Sequence, residues 1–322
     1  MNPHISIIIT VNDAQEADLA IPISSINNQL GIDFREVEVI LVDGGRYRLE
    51  NLEAFRLFKN IRINYESPDT VLSWEESFEW GLNVAHGDYV MFMGPDGLLN
   101  QTSVVQTFNT VAGQNPDADV LTGLVLEQDM TRSRQTEYTI GTDLTTVRGR
   151  WIKRSFLDQF KIHWEPVGEY SDELYSRLIN IFSRGDTAVN EIAYARFMSR
   201  DVRGEVLAPT SREMTVGWLN MMSRYLTVLQ KIDQKTYEDE FARECVRYYT
   251  QQQRVLETDR KPFAAAMQAI VEQNAAAWVQ AQSFIDHVKL QDTSPEAPWN
   301  ADTQSFNRYL DWLNQIVSAA LK

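Results

Sequence analysis

The segment "YVMFMGPDGLLN" (residues 89–100) decides how this chain is read. Five apolar residues, Tyr89 to Met93, run straight into Gly94-Pro95-Asp96-Gly97. Such a run, closed by turn residues, reads as a buried strand that stops at a sheet edge with one carboxylate in the turn. The same grammar occurs twice upstream. "HISIIITV" (4–11) is followed by Asn12, and "VEVILVDGG" (37–45) carries Asp43 ahead of two glycines. "NIRINYE" (60–66) alternates with period two, and "ADVLTGLVLE" (118–127) is a further strand. Residues 14–30 and 73–86 read as helices. The second opens with Ser73-Trp74-Glu75-Glu76, a capping box that satisfies free N–H groups at a helix start. Apolar strands alternating with helices predict an α/β domain with a largely parallel sheet, covered on both faces.

After about residue 205 the pattern changes. Thr210-Ser211-Arg212-Glu213 is another capping-box pattern. Trp218, Met221, Met222, Tyr225, Leu226 and Leu229 then fall on one helix face. Further helical patterns cover 236–257 and 262–288. The Pro-containing stretch "DTSPEAPWN" (292–300) precedes a last helix whose Phe306, Tyr309, Leu310, Leu313 and Val317 share a face. The expected organisation is therefore an α/β domain over residues 1–205 and an α-helical region over 206–322. Trp218, Tyr225, Trp278 and Trp312 are candidates for a homo-oligomer interface, or equally for packing on the α/β domain.

Composition narrows the function. The 322 residues carry a net charge of −15, which argues against a nucleic-acid partner, since phosphate backbones are met by basic faces. A nucleotide stays possible, because one local site can oppose the global field. The single cysteine, Cys245, rules out an internal disulfide and a Cys-rich metal site. No apolar run approaches the ~18–20 residues that span a bilayer, and "MNPHISIIIT" lacks the pattern of a signal peptide. The expectation is a cytoplasmic protein. The mildly basic "SRYLTVLQKIDQK" (223–235) leaves peripheral membrane contact open.

In an open parallel sheet, ligands bind beyond the carboxyl ends of the strands. Thr10 and Asn12, Asp43, and Asp96 all fall at such ends. Asp43 can accept from a base or ribose donor. Asp96 can hold a divalent cation, Mg²⁺ or Mn²⁺, against a diphosphate. Asp-Gly and Pro-Asp-Gly are also ordinary turn sequences, so each aspartate has a purely local reading.

The order of these segments resembles the family 2 glycosyltransferases, which have the GT-A fold, a Rossmann-like arrangement for nucleotide-diphospho-sugars. "GLNVAHGDYVMFMGPDGLL" (81–99) is the most specific stretch, resembling the family's Gly-(Ile/Leu)-x-x-Ala-x-Gly-(Glu/Asp)-Tyr-(Ile/Val) run into Asp-x-Asp. "ISIIITVN" resembles the opening strand, "SSINNQ" (24–29) the Ser-x-x-x-Gln helix end, and "VEVILVDGG" the strand ending in Asp-Asp. "RGRWIKRSFLDQF" (148–160), "GEYSDELYSRLI" (168–179) and "AYARF" (193–197) resemble later family segments. The likeness covers about residues 4–200.

The resemblance implies an inverting sugar transfer from a nucleotide-activated donor, most often a uridine diphosphate sugar. The acceptor would be a bacterial surface glycan such as exopolysaccharide, capsule or teichoic acid, met at the inner face of the membrane. It implies Asp172 as general base, Thr10, Asn12, Asp43 and Asp96 on the donor, Asp96 on a metal, and Arg148, Trp164 and Arg196 along the acceptor cleft. Asp172 is equally an acidic residue favourable beside a helix N-terminus, and Trp164 alone is a common core residue.

Several positions depart from the family pattern. Gly94 stands at the first Asp of Asp-x-Asp, and Gly97 where a further Asp is common. Val11 replaces an aromatic, Gly44 a second Asp, Phe78-Glu79 an Arg-Asn pair, and Ser171 a Glu. Fewer carboxylates weaken a hard-cation site, although Mg²⁺ often uses one carboxylate plus phosphates and waters. Two expectations follow: an active transferase with an atypical donor site, or a degenerate GT-A domain that binds or assembles with an active partner.

Overall fold

A computed structural model describes residues 4–12, 14–130, 136–142, 144–197, 211–252, 260–291, 297, 300 and 302–322. The chain divides into two compact units, Met1–Pro166 with Ser171–Val206, and Val167–Tyr170 with Leu207–Lys322. The expected division at 205/206 and the capping pattern at 210–213 fall outside the residues whose side chains are described, as does nearly all of 292–300.

In the first unit, β1 (Ile5–Thr10), β2 (Val37–Val42), β3 (Ile63–Glu66) and β4 (Tyr89–Met93) form a parallel half-sheet in the order β3-β2-β1-β4. Every residue of β1 and β4 is buried, as the unbroken apolar runs require of strands covered on both faces. The chain leaves β1 toward β2 through α1 (Glu16–Asn27), then returns to the other side of β1 through α2 (Trp74–Val84). That reversal opens a crevice at the carboxyl ends of β1 and β4, where α/β sheets bind ligands.

The sheet continues as β8 (Arg150–Lys153), β6 (Val120–Met130), β9 (Asp186–Phe197) and β5 (Gly97–Leu99), with β7 (Thr136–Gly141) paired to β6 off this path. This half is mixed. β8 is antiparallel to both β4 and β6, β5 is antiparallel to β9, and β6 and β9 run parallel. The expectation of a largely parallel sheet holds for the first half and needs this correction for the second. Helices α3 (Val104–Gln114), α4 (Arg154–Phe160) and α5 (Ser171–Phe182) complete the unit.

Two local devices bring elements to the crevice. The Ser73 capping box forms: Ser73 Oγ accepts from the Glu76 N–H at 3.2 Å, and Glu76 accepts from the Ser73 N–H at 2.8 Å. Gly81 then lets α2 lie close on the sheet, because a Cβ there would stand 2.3 Å from Ile8 Cγ2. At the end of α1, Gln29 accepts from the Val105 N–H at 3.0 Å and donates to Gln101 O at 2.7 Å. Ser25 accepts from the Leu99 N–H at 3.0 Å. The Ser-x-x-x-Gln pair thereby fixes the chain just beyond the Asp96 turn.

The second unit is helical: α6 (Ser211–Ile232), α7 (Gln234–Gln252), α8 (Arg260–Gln273), α9 (Trp278–Gln291) and α10 (Thr303–Ala320). The continuous helix expected over 262–288 is broken. Asn274 Nδ2 caps Ile270 O at 2.7 Å, while its Oδ1 accepts from Tyr237 OH at 2.5 Å, and a short 3-10 turn follows. The aromatics considered for an oligomer interface are used inside this unit. Trp218, Tyr225 and Trp278 are buried, Trp218 stacks on Tyr248, and Trp312 stacks on Tyr248 in turn. Trp218, Tyr225 and Trp278 are core residues of this unit, whereas Trp312 is partly buried. Among the described residues no helix is long and apolar enough to cross a membrane.

Candidate active site

Asp43, one residue past β2, is fully buried. Its Oδ2 accepts from the Leu49 N–H at 2.8 Å and from Tyr65 OH at 2.6 Å. Its Oδ1 accepts no hydrogen bond, and Arg48 Nη1 lies 3.8 Å away. Arg48 is itself fixed by donating to Pro68 O and Thr70 O. One oxygen thus anchors the loop, and the other is buried facing Arg48 without a hydrogen bond. A cavity of about 460 Å³ lined by residues 14–16 and 47–50 borders the same loop. At the end of β1, Asn12 adopts a left-handed backbone (φ 44°) and its amide donates to Thr10 Oγ1 at 3.3 Å.

The Gly94–Gly97 turn closes with the Gly97 N–H donating to Gly94 O at 3.3 Å. Asp96 within it accepts on Oδ2 from Arg196 Nε at 2.9 Å. Arg196 reaches the turn because β5 pairs with β9, placing Gly97 opposite Arg196 and Leu99 opposite Tyr194. A second carboxylate, Glu127 on β6, lies 4.0 Å from Arg196 Nη1. Tyr194 is buried under the turn, and its hydroxyl accepts from the Gly94 N–H at 3.4 Å. Burial, reinforced by the Asp96 charge, pushes the Tyr194 phenol up to about 12, so it stays neutral.

Asp172 opens α5. Its Oδ2 accepts from Thr146 Oγ1 at 2.6 Å and its Oδ1 from the Val147 N–H at 2.9 Å. Arg148, on the same 146–150 segment, is half-buried and makes no ion pair within 4.0 Å with any described residue. Burial opposes its charge most strongly, but Asp172, Tyr194, Asp96 and Glu127 together outweigh that and raise its pKa. Arg148 is therefore a partly buried cation in the field of Asp172 and, after it, of the Asp96 turn. The structure brings together Asp96, Arg196, Arg148 and Asp172, from segments as much as 100 residues apart. Asp43, Thr10 and Asn12 lie at the ends of the neighbouring strands.

The sequence profile of Glycosyl transferase family 2 matches residues 6–202, more than half of the chain. This chain belongs to glycosyl transferase family 2. Among curated proteins no sequence matches. Among solved structures the fold is similar to S. aureus TarS residues 1–349, with a TM-score of 0.64 at 14% identity over 85% of this chain and 82% of that one. The TarS structure in complex with UDP-GlcNAc gives 0.66 at 12% identity over 85% and 83%. The structure in complex with UDP gives 0.67 at 11% identity over 98% and 90%.

For a family 2 glycosyltransferase the departures now have physical causes. A Cβ on Gly44 would meet Ser77 Oγ at 2.4 Å and Leu72 Cβ at 3.0 Å, so a second Asp after Asp43 has no room. Glu79 does not hang free beside a donor: His163 Nδ1 lies 2.8 Å from its Oε1 and the Trp164 N–H donates to its Oε2 at 3.0 Å. Trp164 is corrected from cleft to core. It is 5% exposed and stacks on Tyr175 (4.2 Å, 8°) and Phe78 (5.0 Å, 27°), with Trp74 and Phe92 at its edges. Of the arginines expected along the acceptor, Arg148 lies chiefly in the field of Asp172 and then of Asp96, and Arg196 contacts Asp96 directly.

Glu75 escaped the sequence reading. It is buried on α2, and its Oε1 accepts from Ser171 Oγ at 2.7 Å. The carboxylate missing at 171 is thus present from another element, next to Asp172. Its only sequence signal was a capping-box interior position, which does not foretell burial. Restoring the family residue with Ser171→Glu would press two carboxylates together in a buried site. The expected cost is about 3–5 kcal/mol, the scale of an uncompensated buried charge, measured by urea unfolding. Adding Glu75→Gln should recover most of it, because the amide can donate to Glu at 171.

The residues around Asp96 do not fit a divalent cation. Asp96 Oδ2 already receives a guanidinium, so an arriving metal would share that carboxylate with another cation. Its Oδ1 folds back over Gly94, 2.5 Å from where a Cβ would stand. No group of three His, Cys, Asp or Glu side chains able to hold a metal occurs among the described residues.

Proposed function

We propose that this family 2 enzyme transfers a sugar from a uridine diphosphate donor to a hydroxyl of a cell-surface glycan or glycopolymer, with inversion at the anomeric carbon. One observation carries the reading: Asp172 is held as an oriented carboxylate within the field of Arg148, beside the Asp96 turn. The acceptor hydroxyl loses its proton to Asp172 as its oxygen attacks the anomeric carbon. The bond from that carbon to the diphosphate oxygen breaks, and the nucleoside diphosphate leaves with the electron pair. Thr146 and Val147 orient Asp172 through a hydrogen bond to each oxygen. At the far end of the crevice the base is assigned to the Asp43 side, with Thr10 and Asn12 beside the nucleoside, and the Leu49 loop that covers Asp43 must shift for its Oδ1 to accept from the base. Likeness to TarS, solved with UDP-GlcNAc and with UDP, supports a uridine donor. A lipid-linked or polymeric acceptor at the cytoplasmic membrane face suits the family resemblance.

The test is UDP release from a panel of UDP-sugars, with and without lipid-linked glycan acceptors. We expect one donor to turn over faster when an acceptor is present. A folded sample that neither binds nor turns over any nucleotide sugar would leave a binding or assembly subunit as the role.

A further inference from the structure

We infer that the donor diphosphate is received by a guanidinium pair, Arg148 and Arg196, and that donor binding needs no divalent cation. This rests on the transferase reading and concerns how its donor site works. In the Asp-x-Asp scheme the carboxylates recruit a metal and the metal meets the diphosphate. Here the first carboxylate is Gly94, and the remaining one, Asp96, already holds a cation of the chain's own, Arg196 Nε at 2.9 Å. A further carboxylate is blocked on one flank, because a side chain at Gly97 would run into buried Tyr194, 1.7 Å from its Oη and 2.1 Å from its Cζ.

The two arginines are suited to replace the ion. Each carries a planar fork of N–H donors that matches phosphate oxygens. Arg196 spends its Nε on Asp96 and its side chain is 40% exposed, so its Nη groups can meet an incoming anion while Asp96 stays occupied. Arg148 is half-buried between Val147, whose N–H binds Asp172, and Gly149, where a Cβ would stand 3.6 Å from Tyr194 Cβ under the Asp96 turn, and it makes no ion pair with a described residue. The carboxylates of Asp172, Asp96 and Glu127 are also why the pair does not act as a general anion site. A ligand must bring a second anchor, which under the transferase reading is its base, bound on the Asp43 side of the crevice.

The experiment is calorimetric titration of the full chain with UDP, and with uridine as a control, in EDTA and in Mn²⁺. UDP should bind equally in both. Arg196→Gln and Arg148→Gln should each weaken UDP roughly 10- to 100-fold, the loss of a charge-assisted contact, without changing uridine. Melting curves report folding. If Arg148→Gln fails to fold, the exposed Arg196→Gln decides. Wild-type binding that tightens tenfold or more with Mn²⁺ and loses that gain in Asp96→Ala overturns the inference while the transferase reading stands. Arginine variants that bind UDP like wild type in EDTA overturn it as well. No nucleotide binding under either condition overturns both.

Discussion

Asp172→Asn is expected to lower kcat by roughly 10²- to 10⁴-fold, the contribution of a positioned general base, while the affinity for UDP stays unchanged. The substitution is close to isosteric. The asparagine carbonyl can still accept from the Val147 N–H, and Thr146 Oγ1, which now donates to Asp172 at 2.6 Å, can rotate to accept from the new amide. The loop therefore keeps its shape and the proton acceptor is lost. Arg148 loses the strongest of the charges that favour its cationic form, but a guanidinium remains protonated throughout. Steady-state rates, UDP titration and a melting curve separate the outcomes. A kcat within tenfold of wild type would move the base elsewhere, with Glu75 next in line. A fall in melting temperature with parallel loss of UDP binding would instead make Asp172 a structural anchor of the 146–150 segment.

What could be read from the sequence was whatever is written in short windows. Strand runs at 4–11, 37–45 and 88–94, the Ser73–Glu76 cap and the stripe from Trp218 to Leu229 all became the expected local structure, because burial on both faces or on one face prints a period. The placement of Asp43 and Asp96 at strand ends followed from the same runs. What stayed hidden were pairs with no local signature. Arg196 meets Asp96 across 100 residues and Glu75 meets Ser171 across 96. Trp164 joins an aromatic stack assembled from α2, β4 and α5. In each case the partner is chosen by sheet order, which residue type alone does not specify. The antiparallel insertion of β8 and the edge strand β5, three residues long, were illegible for the same reason.

Gly97→Ala tests the tightest of these long-range fits. A Cβ there would stand 1.7 Å from Tyr194 Oη, 2.1 Å from Cζ and 2.8 Å from Cε1. These ring atoms belong to a side chain that is itself fully buried, so it has no free direction in which to swing. Either Tyr194 moves into its packed surroundings, or β5 separates from β9. Overpacking of this kind costs about 3 kcal/mol, occasionally more. For a unit of this size that is a fall of roughly 6–12 °C in melting temperature. Both routes also displace Asp96 and Arg196, which face each other through the same strand pair, so UDP binding should weaken along with stability. Tyr194→Ala creates a cavity by itself, yet combined with Gly97→Ala it opens the space the methyl needs. The double variant should be more stable than the sum of the two losses, by about 0.5–3 kcal/mol of coupling. Gly97→Asp carries the argument to the metal. If it folds with wild-type stability and makes UDP binding depend on Mn²⁺, the turn can host a second carboxylate, and the guanidinium pair is a substitute the fold did not require. If it unfolds or loses UDP altogether, Tyr194 has fixed the donor site in its metal-free form.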